Sequence, residues 1–151
     1  MFEDNQYYAI PEFRYPAKRD KLFIDAGAFV GDSIEKYISM HLGIVGKVCG
    51  IELAERQYNA LQIRLERLRK EWALDENQLY GYRAAVGDRN AEVLVDVKDN
   101  IACSRIKENE DIKSLSAVQM VKLDDLFHEE VSLIKDDIEG AELSMLRGVK
   151  I

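Results

Sequence analysis

The sequence predicts an α/β domain with a mainly parallel sheet, helices on both faces and an inserted antiparallel ribbon. Three observations indicate this fold. From residue 21 onward, short apolar segments of strand length alternate with longer segments of helical period. A stretch of alternating residues interrupts this rhythm after residue 90. Both prolines, Pro11 and Pro16, precede the first strand, so regular elements can continue without interruption after them.

The first strand is expected at residues 22–26, and it ends in a turn that contains Gly27 and Gly31. A helix follows. Its expected N-cap is Asp32, and Glu35 stands three residues later in a capping-box arrangement. One face of this helix is expected to be buried, because apolar residues recur at helical spacing: Ile34, Tyr37, Ile38 and Leu42.

Two further strands and a long helix are expected before the ribbon. The second strand covers residues 45–53, the long helix about 54–72, and the third strand 79–86. The long helix has an apolar stripe that consists of Tyr58, Leu61, Leu65, Leu68 and Trp72. Its opposite face is rich in Arg and Glu, which is typical of a solvated surface.

The predicted ribbon begins with valines that alternate with other residues at 92–97, and residues 98–100 form its turn. Its second strand is expected at 101–106. Two more strands are predicted at 117–123 and 132–137. A last helix opens at residues 139–142 and carries Leu143 and Leu146.

Composition limits the classes of protein. A chain of 151 residues, 47% hydrophobic and 32% charged, fits one globular domain, here residues 21–151. Residues 1–20 are rich in aromatic residues and are expected to form a cap across it. No apolar run approaches the roughly 20 residues of a membrane span, and the N-terminus lacks signal-peptide features. A cytoplasmic protein with no membrane partner is therefore expected. The formal net charge of −7 argues against a nucleic-acid partner.

A ligand is expected beyond the carboxyl ends of the parallel strands. The turn after the first strand has the pattern D-x-G-x-x-x-G, from Asp25 to Gly31. A dinucleotide site needs a second glycine where Phe29 stands, because the backbone must approach a pyrophosphate there. The acids at the start of the next helix, Asp32 and Glu35, would also repel a phosphate. Both observations disfavour a dinucleotide.

S-adenosyl-L-methionine fits this pattern better, because it has no phosphate and offers an ammonium group and ribose hydroxyls as donors. Asp25 can bind the methionine end, directly or through water. Glu52, at the end of the second strand, has the position of an acid that binds a ribose. A carboxylate accepts hydrogen bonds from both ribose hydroxyls at once.

Five segments occur in the order seen in FkbM-type S-adenosylmethionine-dependent methyltransferases, which the chain resembles over about residues 22–148. They are FIDAGAFVGDSIEKY, IELAERQYNAL, AAVGDRNAEV, VKLDDLF and LIKDDIEGAELSMLRG. Two departures stand out. Leu53-Ala54 follows the acid where the family commonly has proline, and Asp136 stands where an aliphatic residue is usual.

The resemblance implies a Rossmann-like class I methyltransferase sheet and assigns site residues. The implied cofactor-binding residues are Asp25, Gly27, Ala28 and Gly31 at the methionine moiety, Glu52 at the ribose, Ala85 and Val86 near the adenine, and Ser104 on the ribbon. The implied catalytic residues are Asp137, as the base that faces the methyl group, with Lys135 and Glu139 beside it. An alternative stays open for each of the two neighbouring residues. For Lys135 it is pairing with an acid on the neighbouring strand. For Glu139 it is the place of an ordinary helix-start carboxylate.

The resemblance implies O-methylation of a hydroxyl on a sugar or small natural product. The alternative is a non-catalytic or fragmentary module that binds an adenosyl cofactor. It is kept because a class I methyltransferase sheet normally continues with three more strands, so the domain is expected to be incomplete at its C-terminus. Strand 132–137 would then be an open edge, which further strands or a second copy in a homo-oligomer would cover. A dinucleotide-dependent enzyme is the least favoured hypothesis. No metal ligands are assigned. Asp124-Asp125 and Asp136-Asp137 lie in two different segments, and adjacent acids on a strand point to opposite faces, so neither pair makes a metal site by itself.

Overall fold

The computed structural model of the chain describes residues 21–96, 115–138 and 140–149. In chain order the elements are β1 (Leu22–Ala26), α1 (Asp32–Met40), β2 (Lys47–Glu52), α2 (Glu55–Trp72), β3 (Leu79–Arg83), β4 (Ala85–Val86), β5 (Ala91–Asp96), β6 (Leu115–Val121), α3 (Leu123–Leu126), β7 (Val131–Asp136) and α4 (Glu142–Arg147). The predicted alternation of strands and helices is confirmed in this part of the chain.

The main sheet has four strands in the order β3-β2-β1-β7, and all neighbouring pairs are parallel. The chain moves outward from β1 through β2 to β3, and β7 then returns to the other side of β1. Strand order therefore reverses between β1 and β7. In open parallel sheets this reversal opens a crevice at the carboxyl ends of the strands, where ligands bind.

Both faces of the main sheet are covered, as predicted. On one face, Phe23 and Val48 pack against α1 and α2 in a cluster whose helical members are Ile34, Tyr37, Ile38, Leu61, Leu65 and Leu68. On the other face, Leu22, Ile24 and Ile51 pack against α3 and α4, which contribute Leu123 and Met145. Strands that are buried on both faces are typical of parallel sheets, so the apolar run of β1 has a structural cause.

The predicted start of α1 is wrong in detail. Gly31, with φ 82°, is the N-cap and provides no side-chain capping hydrogen bond, and Asp32 is the first helical residue. Glu35 does not complete a capping box, because its carboxylate pairs with Arg64 at 3.0 Å and Arg67 at 2.6 Å. Leu42 is 75% exposed rather than buried, since the chain turns away after α1 with φ 53° at this residue.

The predicted third strand is two strands in two sheets. β3 extends the main sheet, whereas β4 pairs in parallel with β6 in a smaller sheet of order β4-β6-β5. The partner of β5 in this sheet is β6, and the two strands are antiparallel. The turn at 98–100, the second ribbon strand at 101–106 and the cap at 1–20 lie outside the described residues.

The remaining boundaries differ slightly from the predictions. β6 ends at Val121, and Leu123 begins α3 instead of ending the strand. In α4, Leu143 and Leu146 are exposed, and Met145 is the buried residue. β7 pairs with β1 and lies at the edge of the sheet within the described ranges. In the same ranges, the chain contains no helix with the length and apolar character of a membrane span.

Candidate functional site

The carboxyl end of β1 holds a buried ion pair. Asp25 on β1 and Lys135 on β7 are register partners in neighbouring strands, so both side chains project from the same face of the sheet. Lys135 Nζ lies 3.1 Å from Asp25 Oδ1. The Asp25 side chain is fully buried, and the other oxygen, Oδ2, has no hydrogen-bond partner in the described part of the chain. Asp25 therefore retains an unused acceptor at the point where strand order reverses.

Burial governs the charge of Asp25. Desolvation raises the pKa of its carboxyl group to about 6, although the ammonium of Lys135 acts to lower it. A group with this pKa is partly protonated just below neutral pH. A further cation or donor at Oδ2 would favour the ionised form. The electrostatics of this position suit a positively charged ligand.

A second carboxylate stands at the mouth of the same crevice. Asp137 follows β7 directly, its side chain is 62% exposed, and its Oδ2 lies 3.8 Å from Lys135 Nζ. Lys135 thus stands between a buried acid and an exposed one. Asp136, one residue earlier, faces the opposite side of the strand. Burial and the charge of Glu142 raise the pKa of Asp136.

Gly27 allows the turn after β1 to pass against the end of β7. Its φ is 76°, a conformation that glycine adopts without strain. A Cβ atom at this position would overlap the main-chain carbonyl of Asp137, whose carbon would lie 2.7 Å away. The amide of Asp137 also donates to the carbonyl of Ala26 at 3.0 Å. Gly27 therefore brings Asp25 and Asp137 to one site.

Glu52 at the end of β2 is held by two main-chain amides. Phe29 N donates to its Oε2 and Ala54 N to its Oε1, each at 2.8 Å. The residue is 9% exposed, and burial raises the pKa of its carboxyl group against the opposing effect of these hydrogen bonds. Each carboxylate oxygen can accept more than one hydrogen bond, so the oriented group can still bind two hydroxyls.

Packing explains the residue types at two of the positions predicted to contact the cofactor. Ala28 is buried in the cluster beneath α1 and α2. At Gly31 a Cβ atom would lie 2.7 Å from Leu61 Cδ1, and φ is 82°, so glycine is needed for the approach of α2. The roles of Ala28 and Gly31 as cofactor contacts stay predictions.

Ala85 and Val86, predicted to lie near an adenine, form β4. They pair with Met120 and Val121 on β6 and are buried. Their contact with a cofactor stays a prediction. Ser104 and Glu139 lie outside the described residues, so the structure does not describe their positions.

Three features of the site escaped the sequence analysis. The amides of Phe29 and Ala54 orient Glu52, and Arg83 supports the segment that follows this acid. Arg83, the register partner of Glu52, donates to the carbonyl of Leu53 at 3.5 Å and to Ser116 Oγ at 3.2 Å. The hydrogen bond from the amide of Ala54 to Glu52 could have been predicted, because the free N–H groups at the start of a helix need acceptors and this acid stands two residues earlier. No group of three potential metal ligands occurs in the ranges that the structure describes.

Two comparisons with known proteins indicate the family and the fold of the chain. The family model described as the methyltransferase FkbM domain matches residues 25–151. The crystal structure of methyltransferase FkbM from Methylobacillus flagellatus KT is similar, with a TM-score of 0.64 and 23% sequence identity. The match covers 86% of this chain and 29% of that one, so this chain spans less than a third of its length. The likeness shows a shared fold. No curated protein matches the chain.

Proposed function

Because this chain belongs to the FkbM methyltransferase family, we propose that it binds S-adenosyl-L-methionine and methylates a hydroxyl group of a sugar or small natural product. One observation carries the proposal: two buried carboxylates, Asp25 and Glu52, lie at the ends of adjacent parallel strands. The cofactor is a cation whose ammonium and hydroxyl groups are donors. Buried acceptors of negative charge are the chemistry that binds such groups.

The residues present fit the two ends of this cofactor. Asp25 Oδ2, buried and without a partner in the described ranges, is an acceptor for the ammonium of the methionine part. Glu52, oriented by the amides of Phe29 and Ala54, is the acceptor for the ribose hydroxyls. When bound, the cofactor would supply an electrophilic methyl group, whose bond to the sulfonium sulfur breaks in the transfer and leaves a neutral thioether.

Asp137 is the proposed base. A hydroxyl acceptor must lose its proton as its oxygen forms the new bond to carbon, and a carboxylate at the mouth of the site can take that proton. The exposure of the Asp137 side chain at the end of β7 supports this role. The Lys135 ammonium, 3.8 Å away, attracts its carboxylate and holds it near the crevice.

The order of the two acids along the site also supports methyl transfer. Asp25 is enclosed, whereas Asp137 is open to solvent, and Lys135 lies between them. A ligand that enters this crevice would meet its binding acid inside and a proton acceptor outside. The alignment of two reactants in one site is the main contribution that an enzyme makes to a displacement at carbon.

A dinucleotide remains the less favoured ligand. The ring of Phe29 projects from the turn where a pyrophosphate would need an open backbone. Asp32 lies in the first turn of α1, where its charge opposes the binding of an anion, whereas the charge of Glu35 is compensated by Arg64 and Arg67.

A second candidate function is a cofactor-binding module that needs further strands or a second copy to become active. One observation favours it: β7 lies at the edge of the described sheet, and the adjacent helix α4 exposes Leu143 and Leu146. An edge strand beside apolar side chains is a surface that another element can cover. This module would bind the cofactor without methylating an acceptor by itself.

Calorimetric titration with S-adenosylhomocysteine tests the proposal, with NAD as the control ligand. We expect micromolar binding to the wild type, no binding of NAD, and an affinity at least about tenfold lower in Glu52→Gln, because hydrogen bonds to a charged acceptor are lost. The matched control is Glu66→Gln, which alters an exposed acid on α2 and should bind as the wild type does. Equal affinity in Glu52→Gln and Glu66→Gln would contradict the site.

A further inference from the structure

Phe29 has a backbone conformation that is unfavourable for a residue with a large side chain. Its φ is 50°, in the left-handed region that residues with a bulky side chain seldom occupy. The strain comes from the close approach of Cβ to the following carbonyl oxygen. An aromatic residue held in this region indicates that something other than local preference keeps it there.

Core packing does not explain the conformation. The Phe29 side chain is 55% exposed and belongs to neither of the two apolar clusters that the described residues form. Its neighbour Ala28 is buried in the cluster beneath α1 and α2. The turn therefore buries its small residue and exposes its large one, the reverse of what packing alone favours.

The main chain of the turn is fixed by contacts with the end of β2. The amides of Gly27 and Ala28 both donate to the carbonyl of Ile51, at 2.9 and 3.0 Å. The amide of Phe29 then donates to Glu52 Oε2 at 2.8 Å. The left-handed turn thus directs the N–H of Phe29 at the acid and leaves the side chain of the same residue exposed outside the core.

We infer that Phe29 is a cofactor-contacting residue whose ring packs on the adenosyl group bound at Glu52. The inference rests on the proposed function. Apolar and aromatic walls with a few placed polar groups are typical of small-molecule sites. A ring over the ribose would exclude water from the hydrogen bonds of Glu52, which strengthens them. The Phe29 ring, which blocks the approach of a pyrophosphate, would therefore be compatible with a ligand that has no phosphate group.

Leu42 provides a matched control within the same chain. It is also an exposed apolar residue with a left-handed backbone, at φ 53°, but it follows the C-terminal end of α1, whereas Phe29 precedes the N-terminal end. Replacement by Asn suits this conformation at both positions, because Asn adopts it more readily than Phe or Leu. Neither replacement removes a main-chain amide.

The test compares Phe29→Asn, Phe29→Tyr and Leu42→Asn in the full chain. Urea unfolding measures stability, and calorimetry with S-adenosylhomocysteine measures affinity. Both Asn variants should unfold at the wild-type urea concentration or a higher one. Phe29→Asn should bind about tenfold more weakly, because the contact area of the ring is lost. Phe29→Tyr, which keeps the ring, and Leu42→Asn should bind within about twofold of the wild type.

Each contrary result has a distinct meaning. Wild-type affinity in Phe29→Asn would overturn the role of the ring and leave the proposed function standing. Loss of both stability and affinity in Phe29→Asn would also overturn it, because the ring would then support the fold. Absence of binding in the wild type and in Leu42→Asn would overturn the inference together with the proposed function.

Discussion

Lys135 and Asp25 face each other across β7 and β1, with the ammonium 3.1 Å from the buried carboxylate. The alternative interpretation of Lys135, pairing with an acid on the neighbouring strand, is confirmed. The same ammonium lies 3.8 Å from Asp137, so this pairing also gives Lys135 a place beside the proposed base. A buried pair of this kind is costly to break, because the remaining charge loses its compensation.

Replacement of Lys135 by Met should therefore destabilise the protein. At pH 7 we expect a loss of about 3 kcal/mol in the free energy of unfolding, measured with urea, since Asp25 stays buried without its cation. Lys70→Met is the control, because Lys70 and its partner Glu66 are exposed, and it should change stability by less than about 0.5 kcal/mol. Equal losses in the two variants would contradict the importance of the pair.

The affinity for S-adenosylhomocysteine should depend on pH through Asp25. Burial raises its pKa to about 6, and the ligand ammonium binds the ionised carboxylate. Below pH 6, binding must release a proton, so affinity should fall by up to about tenfold per pH unit as the pH decreases, and it should be constant above about pH 7. Asp25→Asn should bind weakly and without this dependence. Calorimetry in two buffers of different ionisation enthalpy would detect the proton, and a flat wild-type profile would contradict the assignment.

Gly27→Ala should damage both the fold and the site. The added Cβ would overlap the Asp137 carbonyl, and φ is 76°, so a loss of about 3 kcal/mol is expected in urea unfolding. Gly140→Ala isolates the backbone contribution, because φ is 96° there and no atom of the described residues lies within 4 Å of the new Cβ. Its loss should be near 1 kcal/mol. A Gly27→Ala protein as stable as Gly140→Ala would show that the close approach does not exist.

Asp137→Asn should slow methyl transfer far more than it weakens cofactor binding. Loss of a general base typically lowers the rate by about 10²–10⁴-fold. Asp136→Asn, on the opposite face of β7, is the comparison, and it should have a much smaller effect. The measurement is the rate of methyl transfer to whichever acceptor reacts in a panel of sugars and small alcohols. If both variants retained the wild-type rate, Asp137 would not be the base.

The sequence predicted best those features whose causes are local. The predicted bounds of β1 agree with the observed ones. A strand that is buried on both faces is a continuous apolar run, and such a run can be recognised without knowing which strands lie beside it. Asp25 and Glu52 were found because polar residues that close such runs mark strand ends. The glycine-containing turn after Asp25 supplied the other part of the prediction, and the structure places the two acids on adjacent strands.

The errors have nonlocal causes. Residues 79–86 read as one strand, but the break before Ala85 follows from the pairing of β4 with β6, far along the chain. Glu35 had the spacing of a capping box, but two arginines of α2 bind its carboxylate instead. The left-handed conformation of Phe29 depends on Glu52, 23 residues away, and no local pattern indicates it.

A crystal structure of the chain with S-adenosylhomocysteine is the most direct test of the central claim. We expect the ribose hydroxyls to lie within hydrogen-bond distance of Glu52 and the ligand ammonium to lie at Asp25 Oδ2. A ligand bound elsewhere, with Glu52 still contacted by the amides of Phe29 and Ala54 alone, would contradict it.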